Sequence, residues 1–179
     1  MDYTTQNQLL LNKLLEYYNK NNNLAFMLNI INGNSNISLR IVDWFVTNYC
    51  KKNYTVLSVN DNRIKIYDDY KLKLRSYSKK RFDPFCRWER ITIPVNNNDH
   101  VQTTIGQLNF FKWALENKII DYIQDNLKII ESDMNIRNNS RSKENKKDLS
   151  KTRKKREELS ESASRSIKRE HVDIIISFS

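Results

Sequence analysis

The sequence predicts an α+β fold. A small antiparallel sheet packs against several helices, followed by a basic C-terminal segment, largely disordered or helical, and a terminal β-strand. Three observations carry this. Apolar residues recur at helical spacing in runs at both ends of the first 135 positions. Two pairs of short alternating runs, each pair joined by Asn/Asp-rich turns, lie between them. At Asn135 the composition turns abruptly to charge, Ser and Asn. The expected organisation is a compact domain over residues 1–135, a basic low-complexity segment over 136–170 and a strand over 171–179 that returns to the sheet.

Residues 4–20 read as a helix with Leu10, Leu14 and Tyr17 or Tyr18 as its apolar stripe. Residues 24–32 form a short apolar helix ended by Gly33, which tolerates the left-handed backbone of a helix C-terminus. Ser38 is an N-cap for a helix over 39–50, whose broad apolar face is Ile41, Val42, Phe45, Val46 and Tyr49. Runs 54–59 and 63–67 flank Asn60-Asp61-Asn62 as a hairpin. Residues 68–79 alternate as a strand would, yet Tyr67, Tyr70, Leu74 and Tyr77 also fall at helical spacing. Helix is favoured because Asp68 and Asp69 suit its first turn. Phe82-Asp83-Pro84-Phe85 is a fixed turn. Residues 90–95 form an edge strand, since Pro94 cannot donate to a ladder, and 100–104 its partner. With the first hairpin these strands are expected to make one sheet, completed by 172–178. Thr104-Ile105-Gly106-Gln107 matches a capping box ahead of the helix QLNFFKWALENK. A final helix over 118–134 has Ile119, Ile120, Ile123, Leu127 and Ile130 on one face and Asp121, Asp125, Glu131 and Asp133 on the other.

Charge is the strongest functional signal. The 179 residues carry 31 Lys/Arg against 21 Asp/Glu, a formal net charge of +10. Ten of the twelve arginines lie in residues 71–90 and 137–170. The chain is crowded with Asn, Lys and Ile, residues of A/T-rich codons, so codon drift accounts for part of its lysine. It has no reason to gather arginine in two places, and the arginine fork suits phosphate. Such a surplus points to a polyanionic partner, nucleic acid above all.

In 71–90, Arg75, Lys79, Lys80, Arg81, Arg87 and Arg90 are the expected phosphate contacts, and Trp88 the stacking candidate. Single-strand binders place aromatics in a basic groove, each stacked base worth roughly 1–3 kcal/mol. The competing reading makes Tyr70, Tyr77, Phe82 and Phe85 core residues with the cations as their solvated rim. In 137–170, Arg153, Lys154, Lys155 and Arg156 are the centre of a second cationic run expected to contact nucleic acid, with a solvated linker or a nuclear-import patch as the competing readings.

Chemistry finds little in the sequence. His100 and His171 are isolated, Cys50 and Cys86 form no CxxC, and two glycines exclude the phosphate-binding loops. No catalytic residue, metal site or cofactor is expected. The unpaired cysteines fit a reducing compartment. Neither a signal peptide nor an apolar run of membrane-spanning length is evident.

The blocks LRIVDWFVTNYCKKN (39–53), YKLKLRSYSKKRFDPFCRWERI (70–91) and TTIGQLNFFKWALENKIIDYI (103–123) resemble a small uncharacterised protein family of nucleocytoplasmic large DNA viruses, of mimivirus and algal-virus type. The similarity covers roughly residues 37–135, and DPFCR and TTIGQLNFF are its specific part. The resemblance implies a virus-encoded, intracellular protein, in the host cytoplasm at a viral factory, in the nucleus, or packaged in the virion. It transfers no catalytic residues. The expected function is non-enzymatic, sequence-unspecific nucleic-acid binding in genome packaging or as a transcription accessory. The alternative is a virion or viral-factory structural component whose partners are other viral proteins.

Overall fold

The computed structural model describes residues 5–20, 22–86, 89–94, 99–145 and 169–171, and shows an α+β fold. Helix α1 (Gln6–Tyr18) starts where the Thr5 hydroxyl accepts from the Gln8 N–H. Its buried residues, Leu14 and Tyr18, are four apart, and the Tyr18 hydroxyl donates to the Leu108 carbonyl at 2.6 Å. Helix α2 (Asn23–Ile31) ends as its sequence requires. Gly33 takes φ 76°, so that its N–H reaches the Ile30 carbonyl and the Asn34 N–H reaches the Asn29 carbonyl.

Ser38 caps α3 (Leu39–Trp44), accepting from the Ile41 N–H. The continuous α-helix expected over 39–50 is corrected. Beyond Trp44 the chain widens into a π turn, Phe45–Tyr49, before closing as α4 (Cys50–Lys52). The Thr47 hydroxyl donates back to the Asp43 carbonyl at 2.7 Å, a bond that competes with the helical ladder where it widens.

Strands β1 (Val56–Val59) and β2 (Asn62–Lys65) pair through a two-residue turn in which Asn60 and Asp61 both have positive φ. Helix α5 (Ile66–Phe82) follows with no intervening loop, so the second strand stops short of Tyr67. Strands β3 (Arg90–Pro94), β4 (Asp99–Thr104) and β5 (Arg169–His171) form a second antiparallel sheet in the order β3-β4-β5, with Pro94 on an edge strand. The expected single sheet is therefore two. The seventeen-residue α5 leads the chain away between β2 and β3 and packs on the next helix instead. The strand predicted over 172–178 lies outside the described residues; the three residues before it pair with β4 at its start.

Helix α6 (Ile105–Glu116) is the centre of the molecule. Every residue from Ile105 to Phe111 is buried, as are Trp113 and Ala114. The Thr104 hydroxyl accepts from the Gln107 N–H, while the buried Gln107 side chain accepts from the Thr103 hydroxyl at 2.9 Å. The largest fully buried side chains of the core include Phe45, Phe82, Leu14, Met27 and Ile119.

The helix expected over 118–134 is two, α7 (Ile119–Asp125) and α8 (Leu127–Asn145), broken at Asn126, whose side-chain amide donates to the Tyr122 carbonyl. Helix α8 continues ten residues past position 135, where the composition changes. Asp133, expected on a solvated acidic face, instead accepts from the Trp44 indole at 3.1 Å and pairs with Arg137 at 2.8 Å. The Arg137 guanidinium lies 5.8 Å from the Trp44 ring centroid, so this cluster fastens α8 to α3.

Candidate nucleic-acid interface

Helix α5 divides its residues by face. Tyr70 is buried, and Leu74 and Tyr77 are half-buried against the core, while Lys71, Leu72, Arg75, Ser76, Lys79 and Lys80 are exposed. The inward aromatics are fully engaged. Tyr77 stacks on Phe82 with centroids 5.9 Å apart, and Tyr70, Phe82, Phe110 and Trp113 form one cluster of rings. The Trp113 indole N–H donates to Asp69 at 2.6 Å, so this first-turn acid, read from sequence as a helix-end charge, ties α5 to α6. Tyr70 and Phe82 are thereby removed as surfaces for base stacking. Trp88, with Arg87, lies outside the described residues, as do Arg153, Lys154, Lys155 and Arg156.

The C-terminal part of α5 is set by a kink. Ser78 takes φ 65° and ψ 164°, a region almost reserved for glycine, and the last turn beyond it carries Lys79, Lys80 and Arg81. That turn is pressed on α6 at Gly106. A Cβ there would stand 2.9 Å from the Asp83 carbonyl oxygen and 3.0 Å from that of Lys80. The Asn109 side-chain amide donates to the Arg81 carbonyl at 2.9 Å. Beyond it, the Asp83 carboxylate accepts from the Phe85 N–H, fixing the Asp-Pro turn.

Four of the predicted contacts thus lie on one helix, with different surroundings. Arg75, Lys79 and Lys80 are exposed. Arg81 is half-buried and turned toward α1, its Nε donating to Asn7 at 2.7 Å and its Nη1 to Gln6 at 3.3 Å. Both acceptors are neutral amides, so these bonds orient the guanidinium without cancelling its charge. Arg90 is exposed on β3 and donates to Gln102 at 2.9 Å. Cations in the last turn also oppose the negative end of the helix dipole, so their position helps hold the helix as well.

Sequence reasoning missed the residues that surround Arg81. A cavity of about 250 Å³ is lined by Asn7, Ser78, Lys80, Arg81, Glu89 and Ile105. Asn7 bridges it, accepting from Arg81 and donating to the Glu89 carboxylate at 3.2 Å. Glu89, like Ser78, has positive φ, at 46°. No periodicity marks these residues, because Asn7 meets Arg81 across 74 positions.

In α3, burial and the neighbouring Asp83 carboxylate push Asp43 up to about 7. Burial, with the Asp43 and Asp83 charges, raises the nearby Tyr70 phenol as well. Burial likewise pushes the Cys50 thiol up to about 12, fitting a packed apolar role. Among the described residues no three His, Cys, Asp or Glu side chains gather as a metal site, and no helix is long and apolar enough to cross a membrane.

An α+β fold with a cationic helix face is the class these features define. The chain belongs to a family of unknown function, DUF7197, whose model matches residues 1–179. It is similar to the uncharacterized protein L507 of Acanthamoeba polyphaga mimivirus, 49% identical over 117 residues, which are 60% of this chain and 45% of that protein. The chain thus matches under half the length of this viral relative, in keeping with the resemblance to proteins of large DNA viruses. No solved structure matches.

Proposed function

We propose that the chain is a non-enzymatic nucleic-acid-binding protein that contacts the phosphate backbone without reading sequence. What supports this reading above all is the exposed set Arg75, Lys79 and Lys80 on a helix held rigid by the Gly106 contact and the Phe82 ring cluster. Three exposed cations on one fixed helix suit phosphates spaced along a strand, and Arg90 adds a fourth. The stretch 137–170, with thirteen Lys/Arg against six Asp/Glu, adds affinity without readout. Trp88 is the stacking candidate of this reading, because the described aromatics of α5 face inward. The setting would be genome packaging or transcription in a DNA-virus cycle, at a viral factory or in the nucleus.

The test is affinity for single- and double-stranded DNA and RNA as a function of salt. Log affinity should fall linearly with log salt, by roughly 0.7–0.9 per phosphate neutralised. A slope near zero, or no binding at low salt, overturns the reading.

A protein-interaction role is the second reading. Ile129 and Ile136, seven apart on α8, are 59% and 62% exposed on one helix face and offer apolar surface to a partner. Under this reading the partner is a viral protein, and Ile129→Lys abolishes its binding while leaving polyanion affinity unchanged.

A further inference from the structure

We propose that the cavity beside the α5 kink is a site for a terminal phosphate, a phosphomonoester dianion, and that the Glu89 carboxylate occupies the same electrostatic position when the ligand is absent. The inference rests in part on the nucleic-acid reading, because it names which phosphate of a strand would enter.

The lining makes the case. Lys80 and Arg81 bring two positive charges to one wall, and Ser78 and Asn7 bring a hydroxyl and an amide. Arg81 is held in place by Asn7 and Gln6 through neutral oxygens, so its charge is oriented toward the cavity region without being neutralised by those bonds. Asn7 is the hinge of the arrangement. Its carbonyl is committed to Arg81, and its amide N–H donates to Glu89. Glu89, the acid among the described lining residues, is therefore linked to the arginine through a shared amide.

Charge decides the ligand class. Among the described lining residues Glu89 brings one negative charge beside the two cations of Lys80 and Arg81. A phosphomonoester carries about −1.5 to −2 at neutral pH and three acceptor oxygens, so it balances both cations and takes over the Asn7 donor. An internal phosphodiester carries a single charge and gains nothing over Glu89. At about 250 Å³ the cavity lies just under the usual range of small-ligand pockets, about 300–1,000 Å³, so it admits a phosphoryl group with part of its sugar and no whole dinucleotide.

The experiment uses the full chain and compares matched single-stranded oligonucleotides bearing a 5′-phosphate, a 3′-phosphate or hydroxyls at both ends, with inorganic phosphate and a nucleoside 5′-monophosphate as separate ligands. A phosphate at one end is expected to tighten binding about tenfold, the value of one charge-assisted hydrogen bond. Glu89→Gln should widen that preference and tighten monophosphate binding, with amide shifts at Asn7, Ser78 and Ile105. Lys80→Gln, which leaves the Arg81–Asn7 anchor in place, should abolish the preference. Equal affinity for all three oligonucleotides, in both wild type and Glu89→Gln, overturns the terminal-phosphate site while a steep salt slope leaves the backbone-binding reading standing. Monophosphate binding that shifts these amides while no oligonucleotide binds supports the cavity and overturns the nucleic-acid reading. Phosphate binding unaffected by Glu89→Gln and Lys80→Gln places the ligand elsewhere and overturns the inference.

Discussion

Gly106 shows how much one missing methyl group can decide. Two carbonyl oxygens of the α5 terminus stand at 2.9 and 3.0 Å from where its Cβ would be, and both are backbone, so neither can rotate away. Gly106→Ala should therefore lower stability by about 1–3 kcal/mol in denaturant titration, despite alanine's better helix propensity. It should also loosen the cationic turn it supports and weaken polyanion binding. Asp43 gives a pH prediction. Its carboxyl is raised from 3.8 to about 7 in the folded chain, so the folded state binds a proton that the unfolded state releases earlier. The stabilising contribution is complete below about pH 4 and is lost as pH rises through about 7. Asp43→Asn should flatten the stability profile between those limits and leave the variant the more stable above pH 7, as followed by thermal unfolding. Sequence marked Gly106 as part of a capping box and Asp43 not at all, because burial beside Asp83 depends on a partner 40 positions away.

At the scale of elements, local chemistry made most boundaries legible. Ser38, Thr104, Gly33 and the Asn60-Asp61 turn each act through hydrogen bonds or dihedrals within a few residues, and all four lie where the pattern places them. Ser38→Ala should cost about 1 kcal/mol in equilibrium unfolding, the usual worth of an N-cap. The kink in α5 was illegible. Ser78 sits near the end of the 68–79 run, whose spacing fits helix or strand and marks no kink, and its backbone is forced by the docking of the following turn on α6. Since a non-glycine residue there stores about 1–3 kcal/mol of strain, Ser78→Gly should raise the midpoint of chemical denaturation without changing the fold. A loss of stability would mean that the serine hydroxyl is worth more than the strain. The break at Asn126 and the π turn at 45–49 escaped prediction for the same reason, since each is a one-residue accommodation to packing inside an otherwise helical pattern.

For the whole molecule the charge distribution frames the decisive measurement. Deleting residues 146–168 should reduce the magnitude of the salt slope of polyanion binding, while Arg75→Ala with Lys79→Ala should weaken binding without unfolding the chain, since both side chains are exposed. Equal salt slopes before and after the deletion would assign the affinity to the rest of the chain alone. The sequence by itself determined the fold class, the caps and turns, the apolar stripes of the first helices and the concentration of arginine, because these follow from period, side-chain type and neighbours in the chain. Only the tertiary structure decided that the strands form two sheets, that the aromatics of 70–85 are core, that Asp69 and Asp133 serve indoles, and that Arg81 is bridged by Asn7 to Glu89 beside a cavity. Those outcomes turn on contacts between distant segments, where packing density and the pairing of buried polar groups choose among arrangements that local propensity leaves equivalent.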